Sequence, residues 1–268
     1  QMCIRDRCRK ATQTIIVISS YEIIDWRNKN GINWITPVKD QGYCGSCWAF
    51  APIGSIEAKI NIMRNDPDFD YDLSEQDLIS CAKAGDCTNG HINEALWAVS
   101  RGGVVTEQCY PYTATYGACN RCSDWQSSLV KITNFKVIPS VTDAGIKRAI
   151  IENGPITVAT FVDPNTYSLH AMVLVGWKTD PNDGSTIWLF KNSWGQSWGD
   201  NGYWEFKPFT ELRSLYIIEP PILISGAEPE IKCNDYDNDG YCYWGISDEK
   251  PSTCPETCKE EKDCDDSN

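Results

Sequence analysis

The chain has 268 residues, 41% of them hydrophobic and 11% aromatic, and a formal net charge of −13. Such a composition can bury a sizeable core, which excludes a disordered protein. The acidity argues against nucleic acid as a partner, because phosphate binding requires clustered Lys and Arg. No apolar run approaches the roughly 18 residues of a membrane span, so we expect a soluble protein without a membrane span. We also expect a monomer.

The cysteine content indicates the compartment. Fourteen cysteines are far more than a reducing cytosol usually tolerates. They predict disulfides and an exported, oxidising setting, either secretion or a lysosome- or vacuole-like compartment. The apolar stretch Ile15–Ile18 lacks the flanks of a complete signal peptide, so this prediction depends on the cysteines alone.

The chain divides into four segments. Residues 1–20 are interpreted as an adapter-like start, QMCIRDR, followed by a remnant of a leader or pro-segment, and are left out of the fold. Residues 21–225 alternate apolar runs with Gly, Pro and Asn and are expected to form the globular body. Residues 226–232 are interpreted as a linker to an acidic, Cys-rich tail, 233–268, which has too few aliphatic residues for a core of its own.

A buried helix is predicted early in the body, with Cys47 at its start. Apolar residues recur there at steps of four and three, which is typical of one face of a buried helix: Ala49, Ile53, Ile56, Ile60 and Met63. Pro52 is expected in the first turn of this helix, where its missing N–H costs no hydrogen bond.

The second half of the body is richer in strand-like runs than the first. These runs are Leu129–Ile138, Ile156–Phe161, Ala171–Trp177, Thr186–Lys191 and Tyr203–Phe206. We therefore expect a helical first half and a β second half.

Residues 41–50, QGYCGSCWAF, place Cys47 where it can be a nucleophile. A cysteine at a helix N-terminus has its thiolate stabilised by unpaired amide donors, and a nearby imidazolium lowers the pKa of the thiol further. From the CxxC spacing alone, Cys44 and Cys47 could equally be a redox pair or two structural cysteines.

A thiolate nucleophile needs a base, and the chain has only two histidines, His91 and His170. His170 begins the run HAMVLVGW, and Asn192 lies downstream in KNSWGQSWGDNGYW, residues 191–204. An amide oxygen that accepts from the imidazole N–H would fix the orientation of the ring, and Trp194 would shelter that hydrogen bond from water. A lone histidine on an apolar strand is otherwise usually a packed core residue.

The three motifs, in this order, resemble the papain/cathepsin family of cysteine peptidases, over about three quarters of the chain. The resemblance implies an α+β fold with a helical left domain, a β-barrel-like right domain and a cleft between them. It implies a thiol-dependent endopeptidase that acts on proteins or peptides through an acyl-thioester at Cys47, with His170 as acid and base and no cofactor. Gln41 and the backbone N–H of Cys47 would form the oxyanion hole.

The resemblance also implies disulfides and substrate contacts. It pairs Cys44 with Cys87 and Cys81 with Cys119; Cys109 and Cys122 remain in the body and are expected to pair, which leaves Cys47 as the free thiol. Gly90 would contact the substrate backbone, and His91 and Leu169 would line the pocket for the second residue before the scissile bond, near Trp194. His91 could equally be an ordinary surface residue.

One departure from the family pattern leaves a second function open. Cys47 and His170 are 123 positions apart, below the family's usual spacing of about 130 to 150. The stretch Phe161–Leu169 is too short for the extra helical turn and strand expected before the histidine. An inactive domain that acts as a calcium-dependent binding or adhesion module is therefore the alternative. Peptide ligation is a third hypothesis, because the same acyl-enzyme can be attacked by an amine instead of water.

The tail carries a candidate calcium site. Residues 235–240, DYDNDG, space carboxylates two apart before a glycine, so hard oxygens could converge on Ca²⁺. The pattern resembles thrombospondin type 3 repeats rather than an EF-hand, because Ile246 stands where the bidentate Glu is required. The predicted ligands are Asp235, Asp237, Asp239 and Tyr241. A solvated acidic tail without specific metal binding is the alternative.

Overall fold

A computed structural model describes residues 23–138, 142–162, 168–207, 212–218, 221–223, 232–235, 240–242, 250–252 and 254–260. Within these ranges the α-helices are α1 Cys47–Arg64, α2 Glu75–Ser80, α3 Ile92–Arg101 and α4 Asp143–Asn153. The strands are β1 Ile23–Asp25, β2 Val130–Ile132, β3 Phe135–Val137, β4 Ile156–Phe161, β5 Leu169–Thr179, β6 Thr186–Lys191, β7 Tyr203–Phe206, β8 Arg213–Ile218 and β9 Pro221–Leu223. A 3₁₀ turn, Trp125–Ser128, precedes β2.

Helix α1 is the central element and is buried on almost all sides. Only Cys47 and Met63 among its residues are not buried, so the helix is buried as predicted, although Met63 on the predicted face is only partly buried. One part of the helix packs with α2 and α3, and another part, which includes Ala58 and Ile62, packs against the sheet and α4. A helix between two apolar layers buries every face, and its apolar pattern is therefore not confined to one stripe.

Pro52 is the sixth residue of α1 and does not lie in its first turn, so the predicted position is wrong. A proline at that place lacks the N–H that would bond to the Trp48 carbonyl one turn earlier. The helix nevertheless continues to Arg64 and ends at Asn65 in the left-handed conformation, with φ 51°. Tertiary packing around α1 therefore outweighs the local cost of the proline.

The main sheet has seven strands in the order β3-β8-β4-β5-β6-β7, with β1 also paired to β5, and its pairings are antiparallel. The described ends of this order, β3 and β7, do not pair with each other, so the sheet is open where a barrel-like arrangement is predicted. At Gly176 a Cβ atom would overlap the Ile24 carbonyl oxygen. Glycine thus allows β1 to approach the register shift in β5.

Three predicted strand runs coincide with β4, β6 and β7, whereas the first run is divided. Leu129–Ile138 contains β2, which pairs with β9, and β3, which pairs with β8. Helix α4 was not predicted; it begins after Thr142, whose hydroxyl accepts from the Gly145 N–H. That N-cap is a local signal that could have identified the helix.

The short segment before His170 is accommodated by a hairpin. Strands β4 and β5 pair directly up to Phe161 and Leu169, and the Val162 N–H bonds to the Ser168 carbonyl at 3.1 Å. His170 therefore lies opposite Thr160 in a continuous ladder. The ladder fixes the histidine in the sheet although the connection is short.

Buried charges join α1 and α2 to the end of strand β6, next to Asn192. Glu57 on α1 accepts from Lys39 Nζ at 2.9 Å and from the Thr36 hydroxyl at 2.7 Å. Lys39 also bonds to Glu75 at 3.0 Å, and Lys191 Nζ donates to Thr36 at 2.9 Å. Burial lowers the pKa of Lys191 to about 8. Because Lys191 ends β6, this network holds the strand end that precedes Asn192.

The described part of the tail is cross-linked and attached to the body. Disulfides join Cys233 to Cys254 and Cys242 to Cys258. The Lys232 N–H bonds to the Arg64 carbonyl at 3.0 Å, and Lys232 Nζ lies 2.7 Å from Asp66. This contact is at the C-terminal end of α1, about 27 Å along the helix from Cys47. None of the helices in the described ranges combines the length and apolar character needed to cross a membrane.

Candidate active site

Cys47 begins α1 and is the free cysteine of the described chain. Its sulfur lies against the backbone N–H groups of Ala171, Trp48 and Cys47 itself. Burial raises the pKa of the thiol, and these N–H groups oppose that increase without cancelling it. Burial therefore opposes the lowering of this pKa that is predicted for a thiol at a helix N-terminus.

His170 and Asn192 form a hydrogen-bonded pair. His170 Nε2 lies 2.7 Å from Asn192 Oδ1, which also accepts from the Ser193 N–H at 2.8 Å. The Ser193 N–H can only donate, so the atom facing it is the amide oxygen and Nε2 must carry the imidazole hydrogen. Nδ1 is then the acceptor of the neutral ring. It belongs to the residue immediately before Ala171, whose N–H faces the Cys47 sulfur.

The surroundings of His170 are apolar and nearly closed to water. His170 is 6% exposed and Asn192 is 3% exposed. The Trp194 ring lies over the imidazole with centroids 4.5 Å apart, and Trp198 packs edge-on against Trp194. Burial lowers the pKa of His170, while its hydrogen bond with Asn192 raises it. Burial is the larger of the two effects and favours the neutral imidazole.

Gln41 is held between the Cys47 loop and the Asn192 segment. Its backbone N–H donates to the Ser193 carbonyl at 2.8 Å, and its side-chain oxygen accepts from the Ser193 hydroxyl at 2.7 Å. Its Nε2 donates to the Cys44 carbonyl at 2.8 Å. The Gln41 amide nitrogen has two N–H bonds, of which one is used by the Cys44 carbonyl. These contacts therefore fix the direction of the second N–H.

The loop after Cys87 packs against the start of α1. A Cβ atom at Gly90 would overlap the Trp48 indole, whose Nε1 donates to the Asp86 carbonyl at 3.2 Å. Gly45 is equally confined, because a Cβ there would lie 2.8 Å from the Cys87 carbonyl oxygen. Glycine at position 90 thus brings the loop backbone close to the Cys47 end of the helix.

The remaining predicted substrate residues lie on separate elements. His91 is exposed and caps the start of α3, where its carbonyl accepts from the Ala95 N–H. Leu169 is 52% exposed and begins β5 next to His170. Leu169 therefore adjoins His170 directly, whereas among the described residues His91 makes no hydrogen bond to the catalytic candidates.

The structure joins the body cysteines in the three pairs expected above. Cys44 is bonded to Cys87, Cys81 to Cys119, and Cys109 to Cys122. The first pair ties the loop that contains Gln41 to the loop that contains Gly90, with Cα atoms 4.5 Å apart. This disulfide consequently fixes one side of the site.

Two of the four predicted calcium ligands, Asp235 and Tyr241, lie within the described residues. Asp237 and Asp239 lie outside the described residues. A carboxylate oxygen of Asp235 accepts from the Gly240 N–H at 3.0 Å, and Lys259 lies over the Tyr241 ring at 3.6 Å. Elsewhere in the described chain, the one cluster of potential metal ligands is Asp77, Cys81 and Cys119. Its two cysteines are joined in a disulfide and so offer no thiolate to a metal.

Two residues that sequence reasoning left without a role bind the site residues. Ser193 contacts both Gln41 and Asn192, and its position directly after Asn192 is a signal that could have identified it. The Tyr112 hydroxyl donates to the Gln41 carbonyl at 2.8 Å and lies 2.8 Å from the Ser46 hydroxyl. Nothing local in the sequence around Tyr112 indicates these contacts, which join distant segments.

Residues 21–214 match the family model described as papain family cysteine protease. Cysteine protease 1 of Oryza sativa subsp. japonica is 34% identical over 199 residues, which cover 67% of this chain and 39% of that relative. Zingipain-2 of Zingiber officinale is 35% identical over 197 residues, which cover 67% of this chain and 84% of that relative. The chain thus spans well under half the length of the rice relative.

A solved structure of the bromelain protease from Ananas comosus, in complex with the E64 inhibitor, is also similar to this chain. It has a TM-score of 0.60 and 29% identity, and the match covers 75% of this chain and 99% of that one. This similarity confirms the predicted α+β, papain-like fold.

Proposed function

The chain belongs to the papain family of cysteine proteases, and we propose that it hydrolyses peptide bonds through an acyl-thioester on Cys47, with His170 as acid and base. The observation that carries the proposal is the hydrogen bond of 2.7 Å between His170 and Asn192, placed where the next residue's N–H faces the Cys47 sulfur. That arrangement supplies a nucleophile, a base and a group that orients the base.

The proposed reaction begins from the neutral pair. His170 Nδ1 takes the proton of the Cys47 thiol, and the resulting thiolate attacks the peptide carbonyl carbon. The imidazolium then gives its proton to the leaving amine as the carbon–nitrogen bond breaks, which leaves the acyl group on sulfur. Water, deprotonated by His170, hydrolyses the thioester and restores the thiol. Asn192 keeps the ring oriented throughout, and Trp194 excludes water from their hydrogen bond.

We propose that two N–H groups stabilise the oxyanion of the tetrahedral intermediate. One is the second N–H of the Gln41 amide, whose other contacts are to Cys44 and Ser193. The other is the backbone N–H of Cys47 at the start of α1, where the helix dipole adds partial positive charge. Both donors are fixed before substrate binds, which is what makes such groups effective.

Substrate is proposed to lie between the Gly90 loop and the start of β5. The confined Gly90 backbone would hydrogen-bond the extended substrate, while the exposed Leu169 side chain would favour an apolar residue at the second position before the scissile bond. His91 is proposed to border the same subsite. Hydrolysis of matched fluorogenic dipeptides tests this, because substrates with an apolar residue at that position should be cleaved faster than those with a charged one.

The same assay separates the rival functions. Accumulation of free acid shows hydrolysis, whereas a product joined to an added amine shows ligation by the same acyl-enzyme. A folded chain that releases neither product would favour the alternative, an inactive calcium-dependent binding or adhesion module. We propose protein or peptide substrates, a monomeric state, and an oxidising compartment, secreted or lysosome- or vacuole-like, because disulfides join the described cysteines other than Cys47.

The pH dependence of kcat/KM should be bell-shaped. Activity needs one proton shared by Cys47 and His170, so it falls when His170 gains a proton at low pH and when Cys47 loses its proton at high pH. Burial lowers the pKa of His170 and raises that of Cys47. We therefore expect the acid limb below the ordinary pKa of histidine, about 6.5, and the alkaline limb above the ordinary pKa of cysteine, about 8.5.

Replacing Asn192 with alanine provides the matched variant for that profile. Its hydrogen bond raises the pKa of His170, so its loss should move the acid limb to still lower pH. Activity should fall at the same time, because the ring is no longer held. An acid limb above pH 6.5, or one that Asn192→Ala moves upward, would show that another group controls the profile.

For the tail we propose a calcium site at Asp235, Asp237, Asp239 and Tyr241, separate from the chemistry of the protease. The support is the hydrogen bond of 3.0 Å from the Gly240 N–H to the Asp235 carboxylate and the two disulfides of the tail, together with the carboxylate-rich sequence. Calorimetric titration of the full chain with calcium chloride should show binding that Asp235→Asn abolishes and that Glu256→Gln, at an exposed tail carboxylate, retains. No heat in the wild type would support a merely solvated tail.

A further inference from the structure

One hydroxyl group links both proposed oxyanion donors. The Tyr112 hydroxyl lies 2.8 Å from the Gln41 carbonyl oxygen and 2.8 Å from the Ser46 hydroxyl. Gln41 carries the side-chain donor, and Ser46 directly precedes Cys47, which carries the backbone donor. A single phenol therefore contacts both ends of the loop from 41 to 46.

The hydrogen positions in this linkage are determined by chemistry. A carbonyl oxygen can only accept, so the one phenolic hydrogen must go to Gln41. Ser46 must then donate to the phenolic oxygen, since its other possible acceptor, the Cys44 carbonyl, is more distant at 3.4 Å. The two bonds thus form a directed chain from Ser46 through Tyr112 to Gln41.

Tyr112 is held independently of the loop that it contacts. Phe50 packs edge-on against the Tyr112 ring with centroids 4.9 Å apart. The Tyr112 backbone N–H donates to a Glu107 carboxylate oxygen at 2.6 Å. Burial raises the pKa of the phenol, so the hydroxyl keeps its hydrogen throughout the working range of a cysteine protease. The ring is consequently a fixed support against which the loop is placed.

The loop's own hydrogen bonds at the Gln41 carbonyl and the Ser46 hydroxyl are long. Residues 41–44 form a turn in which the Cys44 N–H lies 3.3 Å from the Gln41 carbonyl, a long hydrogen bond. Gly42 in this turn has φ 58°, and Ser46 makes no side-chain capping bond to α1. The Tyr112 bond is the shorter contact of the Gln41 carbonyl, and the Ser46 hydroxyl is used by Tyr112 instead of the helix.

We propose that Tyr112 is a positioning residue for the oxyanion hole, whose hydroxyl sets the separation of the Gln41 and Cys47 donors. This inference rests on the proposed protease function and deepens it. Tyr112 does not touch the reacting atoms, so its loss should misplace the donors rather than remove them. We expect Tyr112→Phe to lower kcat roughly tenfold with KM changed less than about twofold, since the transition state is affected more than substrate binding.

Tyr110→Phe is the matched control. Tyr110 lies two residues away, is also buried, and its hydroxyl donates to the Ala118 carbonyl at 2.7 Å, away from the catalytic residues. This variant should change kcat less than about twofold. Ser46→Ala, which removes the other end of the chain, should reproduce the kcat loss of Tyr112→Phe. Equal kcat losses in Tyr112→Phe and Tyr110→Phe would overturn the proposal.

Alkylation by iodoacetamide separates this inference from the proposed function. That reaction needs a reactive Cys47 but no oxyanion hole, so Tyr112→Phe should keep the wild-type alkylation rate while kcat falls. In a Gln41→Ala background, Tyr112→Phe should add little, because the two changes affect one donor system. Fully multiplicative losses, or an alkylation rate that falls with kcat, would contradict a role through the oxyanion hole. A wild-type Cys47 that is not alkylated would contradict the protease function itself.

Discussion

Cys47→Ala is expected to reduce peptide hydrolysis by roughly 10⁴-fold or more, because it removes the nucleophile that forms the acyl-enzyme. The substitution removes one sulfur atom at the start of α1 and leaves the disulfide between Cys44 and Cys87 intact. Its effect should therefore be on turnover, measured with fluorogenic dipeptides, and not on folding.

Cys47→Ser serves as the control for this variant. It keeps the size and the hydrogen-bonding capacity of the side chain, yet a hydroxyl is a far weaker nucleophile beside the same histidine. Both variants should unfold at the same temperature as the wild type within a few degrees, and both should lack turnover. Turnover retained in either would assign the chemistry to another residue.

Gln41→Ala should lower kcat by about 10²- to 10³-fold, which is the effect of removing one oxyanion-hole donor. The same substitution deletes the bonds to the Cys44 carbonyl and to the Ser193 hydroxyl, so some loss of stability should accompany it. The kcat of the folded fraction, obtained by titrating reactive Cys47, separates the two effects.

Gln76→Ala is the matched control for Gln41→Ala. Gln76 is 1% exposed and also binds a loop through its amide, with Nε2 2.7 Å from the Thr115 carbonyl and 2.8 Å from the Ser80 hydroxyl. It should cost comparable stability while kcat per reactive thiol stays near the wild-type value. A similar fall in kcat in both variants would show that loop disorder, and not the lost donor, is responsible.

The fold class and the candidate catalytic residues could be predicted because their signals are local in the sequence. Cys47, His170 and Asn192 each lie in a short motif, and strands β4, β6 and β7 are runs of apolar and β-branched residues between turn residues. The three motif residues lie on α1, β5 and the segment after β6, and the last two are joined by the hydrogen bond between His170 and Asn192.

Other features depend on tertiary contacts that no local pattern encodes. Tyr112 is 71 positions from Gln41 and 66 from Ser46, so neither contact leaves a short-range signal. The burial of α1 on faces other than the predicted one, and the position of Pro52 within the helix, follow from packing on both sides of the helix. The burial that raises the pKa of the Cys47 thiol has no local signal either, since it depends on β5 as well as on the helix end.

The most direct test of the account is labelling of the folded, disulfide-intact chain with an irreversible, thiol-directed epoxide, followed by mass spectrometry of the intact protein and of its peptides. We expect one label per chain, located on Cys47 and absent from Cys47→Ala, with dipeptide turnover lost in proportion to labelling. A folded chain that remains unlabelled, or that is labelled equally in Cys47→Ala, would contradict the assignment of Cys47 as the nucleophile.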